Sequence, residues 1–219
     1  MTAKEESIVT SQERAYRAHP WHGVSVGEEA PEIINCYIEI VTTDTIKYEL
    51  DKESGILKVD RPQQYSSYCP ALYGLIPRTY CADRVGDFCA KKSSMTRIKG
   101  DEDPLDIMVL AEKAIVRGDI LLRARPIGGL RVIDDGCADD KIIAVMQGDD
   151  VYRQYRDISD CPEHLIDRLW HYFLTYKDHP GKPNPRKIQI VDAYGREEAH
   201  EVIKLAMQDY DEHIAHSGK

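Results

Sequence analysis

Cys36-Tyr-Ile-Glu-Ile-Val41, Ile46-Lys-Tyr-Glu-Leu50 and, past the turn-like break Asp51-Lys-Glu-Ser-Gly55, Ile56-Leu-Lys-Val-Asp60 make up the stretch on which the fold class turns. The first is rich in β-formers, and the other two alternate with period two, as a strand with one covered face does. The spacing predicts three consecutive strands in a β-meander. Ile107-Met-Val-Leu110, Ile120-Leu-Leu-Arg-Ala-Arg125, Leu130-Arg-Val-Ile133 and Lys141-Ile-Ile-Ala-Val-Met146 read as further strands, parted by Gly, Pro or Asp clusters. Helical spacing begins only after Asp160-Cys-Pro-Glu163, with Leu165, Ile166, Leu169, Trp170, Phe173 and Leu174 on a helix ending near Asp178. Lys187-Ile-Gln-Ile-Val191 reads as a last short strand. A second helix, Glu197 to about His213, turns Ala199, Val202, Ile203, Ala206, Met207 and Tyr210 inward. Strands first and helices last mean an α+β fold.

Upstream of this pattern, residues 1–30 are polar and mixed in sign, with a short helix expected around Gln12 to Arg17. They read as an N-terminal arm packed on the body or on a neighbouring subunit, and 31–219 as a single domain, which suits a 219-residue chain. Three prolines and a glycine between His179 and Pro185 make a loop there, rich in Lys and Arg. No apolar run has the length of a membrane span or of an export signal, so a cytoplasmic protein is expected. In that reducing compartment Cys36, Cys69, Cys81, Cys89, Cys137 and Cys161 read as free thiols. A net charge of −9 argues against a nucleic-acid surface, which needs clustered Lys and Arg. The eight histidines form no metal or triad spacing and read as surface or helix-packing residues.

Acidity becomes informative where carboxylates converge. Asp101, Asp103 and Asp106 fall within Gly100-Asp-Glu-Asp-Pro-Leu-Asp106 beside an apolar strand. In an extended chain Asp101 and Asp103 share a face and Asp106 does not, so convergence needs a turn, which Pro104 supplies. Two carboxylates about 4 Å apart repel by roughly 4 kcal/mol at an effective dielectric near 20, a cost that a bound divalent cation removes. The segment is no EF-hand, because Asp106 stands where that loop needs Gly. A second acidic group runs from Asp134 to Asp140 ahead of Lys141 and reads equally as a polar hairpin loop. Basic and phenolic candidates are Lys47, Arg61, Lys141, Tyr176 and Lys177. Several cations held with Lys, Arg and Tyr donors are what phosphoryl transfer requires, which makes a phosphate anhydride the natural substrate.

Glu39, Ile46-Lys-Tyr-Glu49, Asp51-Lys-Glu-Ser-Gly55, Val59-Asp-Arg61, Tyr73-Gly74, Asp101-x-Asp-Pro-x-Asp106, the span Asp134 to Lys141, and Tyr176-Lys-Asp178 together resemble the family I soluble inorganic pyrophosphatases. The resemblance runs in order from about residue 33 to residue 205. It implies a five-stranded, OB-like closed β-barrel with flanking helices, a homo-oligomer, and hydrolysis of pyrophosphate to two phosphates with three to four Mg²⁺ ions. By the same resemblance Asp101, Asp106 and Asp139 hold a first metal, Asp106 bridges to a second, Asp134 and Asp139 hold a third, and Glu49 helps a fourth borne by the substrate. Asp103 matches the general base acting on a metal-bridged water or hydroxide. Lys47, Arg61, Lys141, Tyr176 and Lys177 match phosphate ligands, Tyr73 the tyrosine near the base, and Glu39 a supporting carboxylate. This chain departs from the family's Tyr-Pro-x-Asn-Tyr-Gly pattern, with Cys69 for the first Tyr and Leu72 for the Asn. Tyr68 is the candidate to stand in for the missing phenol. The stretch Arg78 to Lys99 is longer than in compact bacterial members, and Arg153 stands where Lys is common.

Overall fold

The structure is a computed structural model that describes residues 17–179, 181–182 and 187–217. Most of the expected N-terminal helix and of the basic loop after His179 lies outside the described residues. The strands are β1 (Ile34–Ile40), β2 (Ile46–Leu50), β3 (Leu57–Pro62), β4 (Leu72–Leu75), β5 (Lys99–Gly100), β6 (Asp106–Leu110), β7 (Ile120–Asp134), β8 (Cys137–Ala138), β9 (Lys141–Met146) and β10 (Ile188–Gly195). The helices are α1 (Asp83–Ser93), α2 (Glu163–Thr175) and α3 (Arg196–Ser217). Hydrogen bonding closes a ring: β1 pairs with β4, β4 with β6, β6 with β9, β9 with β7, and β7 with β1 again. Only β6–β9 is parallel within that ring. β10 and β8 also pair with β7, and β5 with β8.

Side-chain alternation explains why the ring strands read as nearly unbroken apolar runs. Ile107 and Val109 of β6, and Ile142 and Ala144 of β9, join a core cluster with Val85 and Cys89 of α1 and Ala199, Val202, Ile203 and Ala206 of α3. Met108, Leu110, Ile143 and Val145 belong to another cluster, with Leu169, Tyr172 and Phe173 of α2. Both faces are therefore covered, and each fully buried aliphatic side chain contributes about 1.5–3 kcal/mol. Among the described residues, no helix is long and apolar enough to cross a membrane.

The mixed α+β class is as expected, but four local expectations are corrected. The first three strands are not a meander: β2 pairs only with β3, because both edges of β1 are taken by β4 and β7. Asp44 reinforces the break by accepting the Val41 N–H at 2.8 Å. The segments 120–125 and 130–133 are one strand, with Pro126 at a shift in register against β9, where its missing N–H costs no regular ladder bond. Gly128 and Gly129 keep that strand passable, since a Cβ on either would come within 2.4 Å of Tyr194. Not all helices come last, because α1 lies inside the long 78–99 stretch. The N–H groups at its start, which have no acceptor within the helix, are satisfied by Asp209 of α3, which accepts from Ala82, Arg84 and Val85 at 3.0–3.3 Å. Finally, β4 was not expected as a strand, though it completes the ring.

Within the segment expected to be an arm, Trp21 and Val26 are buried in core clusters. Cys36, Cys69, Cys81 and Cys89 are buried as free thiols, while Cys137 and Cys161 are half-buried. Behind the 134–141 turn, the buried Arg131 lies 2.7 Å from Glu198 and 3.6 Å from Asp140, over the Tyr194 ring at 4.7 Å. Tyr194 donates its hydroxyl to the same Asp140 carboxylate at 2.9 Å.

Candidate active site

A cavity of about 580 Å³ opens where β2, β3, β6, the 134–141 turn and the end of α2 meet. Of the site residues that the sequence singles out, all but Tyr68 line it: Glu39, Lys47, Glu49, Arg61, Tyr73, Asp101, Asp103, Asp106, Asp134, Asp139, Lys141, Tyr176 and Lys177. Register accounts for much of this convergence. Antiparallel pairing sets Lys47 opposite Arg61, and parallel pairing sets Asp106 opposite Lys141. The required turn after Asp101 is present, with Glu102 at φ 62° and the Asp103 N–H donating to the Asp101 carboxylate at 3.2 Å. Asp135 and Gly136, at φ 51° and 87°, make the tight turn that joins β7 to β8, so the second acidic group is both a hairpin loop and cavity wall.

Charges meet charges throughout the wall. The buried Lys141 ammonium bridges the Asp106 and Asp139 carboxylates and lies 5.6 Å over the Phe173 ring. Burial alone would depress its pKa, but Asp106 and Asp139 raise it well above the ordinary lysine value. The Tyr73 hydroxyl donates to Asp106, Lys177 pairs with Asp134 at 2.7 Å, and Lys47 with Asp60 at 2.8 Å. Arg61 lies 5.8 Å over the Tyr176 ring. Burial first, and then the Asp139 charge, drives the Asp101 carboxyl well above the carboxylate range; burial also raises Asp139, against the pull of Lys141. Burial also pushes Glu39 up to about 8, despite the Leu50 N–H that it accepts at 2.6 Å.

This donor chemistry suits a hard divalent cation: oxygen ligands only, crowded, with their negative charge poorly solvated. Among the described residues, no three His, Cys, Asp or Glu side chains are already drawn around one point. Lys141 stands between two of them and supplies the balancing charge.

Sequence reasoning missed Lys52, Asp60 and Cys137, which also line the cavity. Lys52 is the most consequential, because its ammonium contacts the Asp103 carboxylate. Its sequence signals were its place in the 51–55 turn, where a lysine ordinarily reads as solvated, and that turn's membership of the resembling segments, which assigned it no role. Conversely, Cys69 and Leu72 are core residues, and the exposed Tyr68 is not part of the cavity wall, so it does not stand in for the missing phenol.

The sequence pattern of the inorganic pyrophosphatase family matches residues 36–211, most of the chain and all of this site. The chain belongs to that family. An inorganic pyrophosphatase of Chlamydia muridarum is 55% identical over 195 residues, covering 88% of this chain and 93% of its own. Soluble inorganic pyrophosphatase 3 of Arabidopsis thaliana is 38% identical and covers 97% of this chain and 88% of its own. The crystal structure of the inorganic pyrophosphatase from Thermus thermophilus superposes with a TM-score of 0.73 at 28% identity, over 89% of this chain and 99% of that one.

With no ion bound, the raised Glu39 carboxyl should make stability depend on pH. Its folded pKa of about 8 exceeds the ordinary 4.5, so the folded state keeps a proton that the unfolded chain has lost. Its contribution to stability is therefore full below 4.5 and is lost as pH rises towards 8. His22 and His200, held down mainly by burial, act in the opposite direction, but only up to about their ordinary 6.5. In EDTA, Tm should fall between pH 6.5 and 8 as Glu39 and Asp101, each raised to about 8, lose their protons, and Glu39→Gln should lessen that fall. A wild-type Tm that climbed over this interval would contradict the assignment.

Proposed function

We propose that this chain hydrolyses inorganic pyrophosphate to two orthophosphates in a Mg²⁺-dependent reaction. The observation that carries this reading is the convergence on one cavity of an acidic set and a basic set of opposite purpose. Asp101, Asp106, Asp134, Asp139 and Glu49 would hold the ions, three to four by family resemblance. When bound, these ions neutralise phosphate charge and acidify water. Lys47, Arg61, Lys141, Tyr176 and Lys177 bind and orient phosphate oxygens, and Tyr73 fixes Asp106 through its hydroxyl. Asp103 takes the proton from the attacking water as its oxygen bonds to one phosphorus and the bridging P–O bond breaks. Glu39 braces the end of β2 through the Leu50 N–H, which keeps the Lys47 and Glu49 face in register.

The same reading takes the ring of strands as an OB-like closed barrel with the site at its mouth, the chain as a cytoplasmic homo-oligomer, and residues 31–219 as one domain behind an arm. It assigns no nucleic-acid or membrane partner. Phosphate release from pyrophosphate, with Mg²⁺ and after its removal by EDTA, is the direct test; no release in saturating Mg²⁺ would overturn the proposal. A finer test separates the two sets. Lys177→Ala and Arg61→Ala should each raise KM for pyrophosphate by about tenfold or more while leaving Mg²⁺ titration of the substrate-free protein nearly unchanged. Equal shifts in both would mean that these side chains support the ion sites instead.

A further inference from the structure

We propose that residues 19–23, within the described part of the expected N-terminal arm, are a positioning element for Asp103, acting on it from two sides. The proposal rests on the reading of Asp103 as the base. Neither side involves direct contact with the cavity.

The first route runs behind the catalytic loop. Trp21 is buried, and its indole N–H donates to the Thr79 carbonyl at 2.8 Å, while its own carbonyl accepts the Arg78 N–H at 2.9 Å. The segment clamped in this way holds the Asp103 loop by its backbone. Cys81 N–H donates to the Asp103 carbonyl at 2.8 Å, Glu102 N–H to the Cys81 carbonyl at 3.0 Å, and Leu105 N–H to the Thr79 hydroxyl at 2.9 Å. Nothing in this chain of bonds can yield cheaply, because Thr79 is fully buried and a lost partner would strand a desolvated polar group.

The second route runs over the cavity rim. His19 Nδ1 accepts the N–H groups of Trp21 and His22 at 3.2 and 3.3 Å, so its proton sits on Nε2, which donates to the Lys52 carbonyl at 3.1 Å. The His19 ring also lies against Gly55, where a Cβ would meet it at 2.7 Å. One imidazole thus fixes both ends of the 51–55 turn, and Lys52 in that turn contacts the Asp103 carboxylate. The base is held by its backbone through Trp21 and by its charge through His19.

A misplacement of about 1 Å in a reacting group costs up to about 10²-fold in rate, which makes this a kinetic claim as well as a structural one. Trp21→Phe keeps the ring and removes only the N–H donor; His19→Ala removes the second route. Each should lower kcat about tenfold at 25 °C, with KM for pyrophosphate and Mg²⁺ titration of the substrate-free protein within about twofold of wild type. In an Asp103→Asn background neither change should lower kcat further, since there is no longer a base to position. Amide exchange at Cys81 and Glu102 should quicken more in Trp21→Phe than in His19→Ala, which loosens Trp21 only through its backbone N–H. Variants that lose only thermal stability, or whose effects add in full to Asp103→Asn, would overturn the positioning role while leaving the pyrophosphatase reading intact. A wild-type protein that released no phosphate would overturn both.

Discussion

If Asp103 is the general base proposed above, Asp103→Asn should lower kcat for pyrophosphate hydrolysis by about 100-fold or more at saturating Mg²⁺, because a well-placed general base is worth about 10²–10⁴ in rate. The amide keeps the shape of the carboxylate and cannot accept the proton. Asp101→Asn and Asp106→Asn behave differently under the same reading, weakening Mg²⁺ binding and activity together. The discriminating measurement is kcat against Mg²⁺ concentration for the Asn variants of Asp101 and Asp103. Full rescue of the Asp103 variant by excess Mg²⁺ would make that residue an ion ligand and leave the base to be found elsewhere. The contact with Lys52 adds a check of its own. If that lysine acts through the Asp103 charge, Lys52→Met slows the wild-type enzyme and has little effect on Asp103→Asn.

Arg131→Met should destabilise the fold by about 3–5 kcal/mol, the usual result of removing one partner from a buried charge pair. Arg131 and Asp140 are almost wholly inaccessible, and burial already pushes the Asp140 carboxyl up to about 6 in spite of Arg131 and the Tyr194 hydroxyl. Without the guanidinium that value climbs further, so the folded state must either hold a proton or bury a bare charge. The loss should therefore be larger at pH 8 than at pH 5.5, where the carboxyl is more readily protonated. Asp140→Asn introduced into Arg131→Met should recover part of it. Urea unfolding at the two pH values measures both effects, and a loss below about 1 kcal/mol, or one independent of pH, would show that the pair is not the brace described here.

The candidate site was more legible in the sequence than the fold around it, and the reason is physical. Asp101, Asp103 and Asp106 alone could be a solvated turn and Asp134 to Lys141 alone a polar hairpin loop, but two such clusters beside Lys, Arg and Tyr candidates point to a site. Such chemistry survives without knowing which strand pairs with which. Pairing itself depends on distant partners. The α1 helix lacks a local start signal because Ala82 cannot cap it, and the acceptor for its N-terminal N–H groups is Asp209, more than a hundred residues away. The Pro126-Ile-Gly-Gly129 segment looked like a break, yet β9 and Tyr194 of β10 hold it in one strand. β1 looked like the neighbour of β2 because sequence order favours hairpins, whereas its edges were already committed to β4 and β7. Lys52 was invisible as a site residue because nothing local distinguishes it from an exposed turn lysine; only folding brings Asp103 to it.

The two-stranded pairing of β2 with β3 leaves the outer side of β3 without a strand neighbour among the described residues, with Val59 62% exposed along it. An open strand edge carrying an exposed valine is a template on which a second chain can add during synthesis at high concentration. Here the edge is interrupted by Lys58, Asp60 and Arg61 and stopped by Pro62, which offers no N–H to an incoming strand. Arg61 and Asp60 thereby guard against self-assembly with the same charges that line the cavity. Removing those charges would cost soluble yield as well as turnover, a coupling that any attempt to re-tune the substrate pocket from this side has to respect.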